Sequence, residues 1–287
     1  WQNATGNTFI GNYIGTDATG TIAVANGMGV QVESPSNTIA SNVISGNNGD
    51  GVLLVGSVSI NNIVTGNYIG TDANGTLPLG NIGNGVLLQS RANRVETNRI
   101  SNNPIGVSVS GSNATGNAIL GNTVIGNTTF GIQINSASST MIGGVTTGNI
   151  IAGNGSDGIS IINSATGNTI SGNSIYDNGG EGIDLANNGV TLNDNLDSDT
   201  GPNNLQNFPE LLYTVPSTSA TVLVGELKTA ASQSYTVEFF RSTTADISGY
   251  GEGREYLGSV LTTSDASGIA PFAYSAAGVA VGDIISM

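Results

Sequence analysis

The chain has 287 residues and 38% hydrophobic content, enough for one large domain or two modest ones. Six basic residues against twenty acidic ones give a net charge of −14, which repels nucleic acid phosphates and anionic membrane surfaces and makes cations the natural small partners. Zero cysteines exclude disulfides and thiolate chemistry, zero histidines remove the commonest general base and metal ligand, and no apolar run approaches the roughly 18 residues of a membrane span, so the sequence reads as a soluble, already trimmed chain.

The first two thirds of the chain is periodic. An asparagine is followed two residues later by a β-branched residue at Asn12/Ile14, Asn42/Ile44, Asn67/Ile69, Asn98/Ile100, Asn122/Val124, Asn149/Ile151 and Asn173/Ile175, at intervals of 30, 25, 31, 24, 27 and 24 residues. A repeat of that size is the signature of a solenoid. A second register, Gly-aliphatic-x-aliphatic, recurs from Gly29-Val30-Gln31-Val32 to Gly182-Ile183-Asp184-Leu185. Its period-two alternation predicts a short strand with one face buried. A third apolar position lies three residues before the asparagines, at Phe9, Ile39, Val64, Val95, Ile119, Thr146 and Ile170. Each coil thus offers three short strands. Helix is excluded because Asn, Gly and β-branched residues dominate and no 3.6-residue periodicity persists.

Asparagine suits the turns, since it tolerates the left-handed backbone region and its amide can bond the coil above. A second set follows at Asn47, Asn103, Asn127, Asn154 and Asn178. Two coils carry matching insertions, Gly15–Thr21 and Gly70–Thr76, which read as β-hairpins projecting two coils (about 10 Å) apart. They are either turn decoration or a binding surface. Outward positions are apolar early (Tyr13, Val43, Leu53, Ile63, Tyr68, Leu87) and polar later (Arg99, Ser108, Gln133, Ser160, Ser174, Asp184). The apolar stretch is either an interface or a face that the hairpins cover. Arg91, Arg94 and Arg99 surround Glu96 as a solvated ion-pair patch.

The repeated phrases Gly11-Asn12-Tyr13-Ile14-Gly15, Gly66-Asn67-Tyr68-Ile69-Gly70, Gly121-Asn122 and Ser171-Gly172-Asn173-Ser174-Ile175 resemble the right-handed parallel β-helix repeat family, the pectate-lyase-like superfamily, over roughly residues 1–190. Handedness is what the resemblance implies, in line with the crossover rule for parallel strands.

Residues 191–212 lose the alternation and read as an acidic linker or cap. Within them Asn193-Asp194-Asn195-Leu196-Asp197-Ser198-Asp199-Thr200-Gly201 places oxygen-bearing side chains at near-alternate positions, as calcium loops do, although the terminal bidentate glutamate is missing. Asp194, Asp197 and Asp199 are the candidate Ca2+ ligands, with Asp184 a possible supplement; the alternative is a solvated linker. Residues 213–287 then show short alternating runs at Thr221–Val224, Tyr235–Phe240, Tyr256–Val260, Ala270–Tyr274 and Val279–Ile285, which predict an antiparallel sandwich. The run from Val237-Glu238-Phe239-Phe240 through Ser248-Gly249-Tyr250-Gly251-Glu252-Gly253 to Tyr256-Leu257-Gly258 resembles the immunoglobulin-like β-sandwich of bacterial surface proteins. That resemblance implies one or two further strands after Ile284-Ile285, so the sandwich is expected to lack its last strand or strands. Trp1–Gly6 is too short and polar for an obvious cap, so both ends are expected to be incomplete.

The fold class is therefore all-β: a right-handed parallel β-helix of about seven coils with a C-terminal antiparallel β-sandwich. The helix resemblance implies lyases and glycosidases first. Lyases of this type pair acidic calcium ligands with a catalytic arginine, and the polygalacturonase-like members need paired aspartates and a Gly-His-Gly motif; no histidine and no Asp-Asp pair occur. A glycosidase needs two carboxylates at defined separation, whereas the acids here are scattered. Two readings remain. One is a non-catalytic extracellular structural or adhesive protein of a bacterial surface, partnered by copies of itself, other surface proteins or polysaccharide; its open ends are expected either because the sequence is an excerpt of a longer chain or because neighbouring copies complete them head-to-tail by strand complementation. The other is a polysaccharide-active enzyme or carbohydrate-binding module; the missing histidine and carboxylate pair favour the first.

Overall fold

A computed structural model describes residues 4–216, 220–246 and 249–287. Trp1-Gln2-Asn3 of the polar N-terminal stretch, and Ser248 of the sandwich segment, lie outside the described residues. The repeat folds into three parallel sheets of seven strands each. The first stacks Thr8–Ile10, Thr38–Ala40, Ile63–Thr65, Arg94–Glu96, Ala118–Leu120, Met141–Gly143 and Thr169–Ser171. The second stacks Tyr13–Ile14, Val43–Ile44, Tyr68–Ile69, Arg99–Ser101, Thr123–Ile125, Ile150–Ala152 and Ser174–Tyr176. The third runs Val30–Val32, Val52–Leu54, Val86–Leu88, Val107–Ser110, Ile132–Asn135, Ile159–Ile162 and Ile183–Leu185.

Like stacks on like because the pairing register is fixed by the buried column. Along the first sheet Phe9, Ile39, Val64, Val95, Ile119, Ile142 and Ile170 are successive partners. A one-residue slip would turn that column to solvent. Columns from all three sheets merge into one apolar core. Ile142, not Thr146, fills the sixth place. The reason is local: the bond from Thr147 N–H to Gly144 O closes a turn after the strand, which pushes the strand away from Asn149 in sequence.

The asparagines do more than make turns. In the first ladder the backbone N–H and Nδ2 of each rung both donate to Oδ1 of the next: Asn42 to Asn67 at 2.9 and 3.0 Å, Asn67 to Asn98 at 2.9 and 2.9 Å, Asn98 to Asn122 at 2.9 and 3.0 Å. The remaining Nδ2 proton reaches back to the preceding coil, as from Asn98 to Val64 O at 2.8 Å. A buried polar side chain is tolerated because its donors are satisfied. The second ladder includes Asn26 and Asn81 besides the five asparagines predicted. A third, which the sequence reading misses, runs through Asn7, Asn37, Asn62, Asn93 and Asn117, and resumes from Thr140 to Asn168.

The region after the solenoid, read as an acidic linker or cap, lies against both the coils and the antiparallel unit. Of its two short 3₁₀ turns, Pro202–Leu205 packs on the coil strands Ile159–Ile162 and Ile183–Leu185, and Asn195–Asp197 packs on the strand Thr221–Lys228. Asn203 accepts from Asn168 N–H at 3.0 Å and Nδ2 at 3.2 Å and so supplies one more rung of the third ladder. The antiparallel unit begins with Glu210–Pro216, a strand that crosses the expected boundary between linker and sandwich at residue 212, and continues with Thr221–Lys228, Ser234–Ser242, Glu255–Thr263, Ile269–Ala276 and Ile284–Ser286. These form two three-stranded sheets around Leu223, Val237, Phe239, Phe272 and Ala276. Only Ile284–Ser286 of the expected last strand is extended; it pairs with Ser234–Ser242.

The same unit closes the solenoid. Glu252, 7% exposed, takes the place of the next asparagine in the second ladder, accepting from Asn178 Nδ2 at 2.8 Å and from its backbone N–H at 3.3 Å. Glu238 accepts from Gly172 N–H at 2.9 Å and from the Ser171 hydroxyl. Gly253 O accepts the Ile175 N–H at 2.8 Å, continuing the second sheet's bonding for one step. Arg254 lies 4.0 Å over the Tyr176 ring and pairs with Asp177. At this end of the coils the last rung of the third ladder is met by Asn203 and that of the second by Glu252, while Glu238 takes the Gly172 N–H between them.

Candidate functional site

The two hairpins lean together. Each is pinned by its aspartate: Asp17 accepts from Thr21 and Ile22 N–H at 3.1 and 3.2 Å, and Asp72 from Thr76 and Leu77 N–H at 2.7 and 2.9 Å. These bonds hold both carboxyls below the ordinary range, Asp17 chiefly through the Thr19 hydroxyl and Asp72 chiefly through Leu77 N–H. Ala73 N–H donates to Gly20 O at 3.0 Å, so the hairpins touch directly and the two-coil gap is bridged. Arg99 clamps the second hairpin by donating from Nε to Gly75 O at 2.7 Å. Gly75 approaches the sheet so closely that a Cβ would stand 2.7 Å from the Tyr68 ring.

The hairpins thus lie over the second sheet. Val43, expected outside, is 4% exposed, and Leu53 on the third sheet is likewise buried. Tyr13 and Tyr68 remain partly exposed. Arg94 pairs with Glu96 at 2.6 Å, as the ion-pair reading has it, but Arg99 belongs to the hairpin.

Between the second hairpin and the C-terminal unit runs a groove of about 410 Å³, to which Thr76, Arg99, Ser101, Asn102, Tyr176 and Asp177 contribute the polar groups. Asp177 is the single carboxylate lining it, and that carboxylate is paired with Arg254. Hydrolysis by a carboxylate pair across a bound sugar has no second member here among the described residues.

The acidic loop is compact. Asp194, Asp197 and Asp199 each offer a carboxylate oxygen, all within 4.8 Å of one another. Asp184 is held elsewhere, accepting from Gly189 N–H at 2.9 Å. Two of the three also organise the fold: Asp194 accepts from the Ser198 hydroxyl at 2.8 Å, and Asp197 from Asn207 N–H at 2.8 Å. Asp199 differs. Its Oδ1 is buried without a hydrogen-bond partner, and lost hydration, then the charges of Asp194 and Asp197, push its carboxyl above the ordinary range. An all-oxygen donor set with one orphaned carboxylate oxygen fits a hard cation such as Ca2+.

The family described as right handed beta helix region matches residues 29–197, more than half of the chain. The protein belongs to the right-handed β-helix family. None of the curated proteins matches it. The match covers the coils of this β-helix from the first strand of the third sheet to the acidic loop, so it bears on the scaffold and not on the antiparallel unit. The signal that could have exposed the third ladder was present: Asn7, Asn37, Asn62, Asn93, Asn117 and Asn168 each precede a first-ladder asparagine by five residues. Glu238 and Glu252 had no such signal, since their partners lie 66 to 74 residues away in a part with no repeat.

Proposed function

We propose that this β-helix is a non-catalytic structural or adhesive protein of a bacterial surface, with its C-terminal sheets serving as an immunoglobulin-like module. The observation that carries the reading is the employment of the acids on the coils. Asp17, Asp50, Asp72, Asp157 and Asp184 each accept backbone N–H groups, while Glu96 and Asp177 pair with Arg94 and Arg254. Carboxylates engaged in this way are fold-forming groups. Asp157 alone of the seven keeps a buried oxygen without a partner, its carboxyl raised chiefly by burial, whereas hydrolysis by family enzymes needs two carboxylates facing a bound sugar.

Self-association is the mode of assembly that the surface supports. The first coil exposes Phe9, Ile10, Tyr13, Ile22 and Val24, and the edge strand Glu210–Pro216 exposes Leu212, Tyr213 and Val215. An apolar edge strand is a template for pairing with another chain. Because Asn203, Glu238 and Glu252 already cover the last coil, a head-to-tail assembly joins the first coil of one molecule to this edge strand of the next. Calcium at Asp194, Asp197 and Asp199 would stiffen the junction; the ion supplies the positive charge that three neighbouring carboxylates lack. The groove beside Arg99 and Tyr176 supports a second reading, a saccharide-binding module, since it joins one aromatic face to several hydrogen-bonding groups.

Electron microscopy and sedimentation of the purified chain test assembly: concentration-dependent oligomers support it, and monomers at all concentrations overturn it. Release of reducing ends or unsaturated products from acidic polysaccharides would overturn the non-catalytic reading. Calorimetric titration with CaCl2 tests the ion, with no heat and no melting shift as the opposing result.

A further inference from the structure

Seven asparagines in the chain are followed by glycine: Asn26, Asn48, Asn74, Asn84, Asn154, Asn178 and Asn188. An Asn-Gly step is chemically self-reactive, because glycine has no Cβ to shield its backbone nitrogen from the neighbouring side-chain carbonyl. The structure treats the seven very differently. Asn154 and Asn178 are buried ladder rungs, with Gly155 and Gly179 N–H donating at 2.8 Å to Asn127 O and Asn154 O. Asn84 donates its amide to Asp50, and Gly85 N–H is bonded to Ile105 O. Asn26 has its amide on Asn47 Oδ1. At Asn74 the amide reaches Asp72 and Gly75 N–H is closed into the hairpin turn, and at Asn188 the Gly189 N–H is held by Asp184.

Asn48 has neither restraint. It is exposed in the turn after the Asn47 rung, and among the described residues neither its side chain nor Gly49 N–H has a hydrogen-bond partner. We infer that Asn48 is a site of spontaneous covalent self-modification, where the side-chain amide is lost to give aspartate and isoaspartate. The Gly49 nitrogen loses its proton to hydroxide and attacks Asn48 Cγ. A C–N bond forms, ammonia leaves with the former amide nitrogen, and a five-membered imide results. Water then opens the imide at either carbonyl, yielding aspartate or a backbone lengthened by one methylene.

The position gives the product a structural effect. Asn47 on one side donates to Asn81 Oδ1, and Asp50 on the other accepts from Asn84 N–H. Gly49 itself is packed so that a Cβ would stand 2.6 Å from Gly27 O. Added backbone length therefore has to be absorbed between a ladder rung and the strand Val52–Leu54, next to an existing carboxylate.

The purified chain, held in warm, mildly alkaline buffer, is followed by peptide mapping and by enzymatic labelling of isoaspartate. Conversion is expected first at Asn48, at least about tenfold faster than at Asn154 and Asn178, whose reaction must wait for local opening. In urea the seven sites should converge. Asn48→Ser should remove the early isoaspartate signal. First conversion at Asn74, Asn188 or a ladder position in the folded chain, or an unmodified Asn48 when the urea sample has reacted, would overturn the inference.

Discussion

The first and last described coils are built from the same repeat and differ in what meets their ladders. At the last coil, each ladder that reaches Asn168 or Asn178 finds an oxygen waiting, from Asn203 or Glu252. At the first coil Asn7 and Asn12 donate upward to Asn37 and Asn42, but among the described residues their own Oδ1 atoms accept nothing. The core column shows the same contrast: Phe9 is 43% exposed, whereas its partner Ile39 is fully buried. A parallel stack is directional, and each end therefore needs different chemistry. At the last coil an amide oxygen and a carboxylate take the donors; the first described coil presents oxygens and apolar side chains.

The largest effect should separate an interior rung from a terminal one. Asn98→Ala strands the buried N–H and Nδ2 of Asn67 and should cost about 2–4 kcal/mol in thermal or urea unfolding, whereas Asn12→Ala should cost less than about 1 kcal/mol. Equal losses would mean that the ladder is not cooperative along the rod.

The closing contact comes next. Glu252→Ala leaves the two Asn178 donors unpaired and should cost about 1–3 kcal/mol. Glu252→Gln should be neutral or stabilising at pH 7, because a glutamine Oε1 can accept both donors as an asparagine rung does, without a buried charge. Burial raises the Glu252 carboxyl above its ordinary value, and the Asn178 bonds only partly oppose this. A raised folded-state pKa means that stability is full below the unfolded value of about 4.3 and is lost as pH rises through the folded value. The advantage of Glu252→Gln should therefore grow over that window and vanish in stronger acid. A pH-independent difference would show that charge is not the cause.

Smaller still is the difference between the matched hairpins. Asp72 is buried and Asp17 only half-buried, although both accept from the same two turn positions. Asp72→Ala should cost about 1–2 kcal/mol and Asp17→Ala less, since water can satisfy the freed N–H groups only at the exposed hairpin.

Much of this was legible from the repeat. The Asn12, Asn42, Asn67 series gives the coil count, the second sheet and the first ladder, because the same side chain recurs wherever the same turn recurs. Legibility fails where the repeat is interrupted. Spacing puts Thr146 at the sixth core position, whereas the turn from Gly144 to Thr147 gives that place to Ile142. Asn26 and Asn81 follow the hairpins and so fall out of the simple spacing. The acidic loop could be named from its oxygen pattern, and its three carboxylates do converge, yet the orphaned oxygen on Asp199 depends on packing that no spacing encodes. The closing roles of Glu238, Glu252 and Asn203 are tertiary facts, made by residues with no counterpart in the coils.

Hydrogen exchange measured residue by residue along the second ladder tests the directional account most directly. If the C-terminal unit closes the rod, the Asn178 and Ile175 N–H groups should exchange about as slowly as Asn103 and Asn127, while the Asn7 and Asn12 N–H groups exchange fastest. Exchange at Asn178 as fast as at the first coil would contradict it.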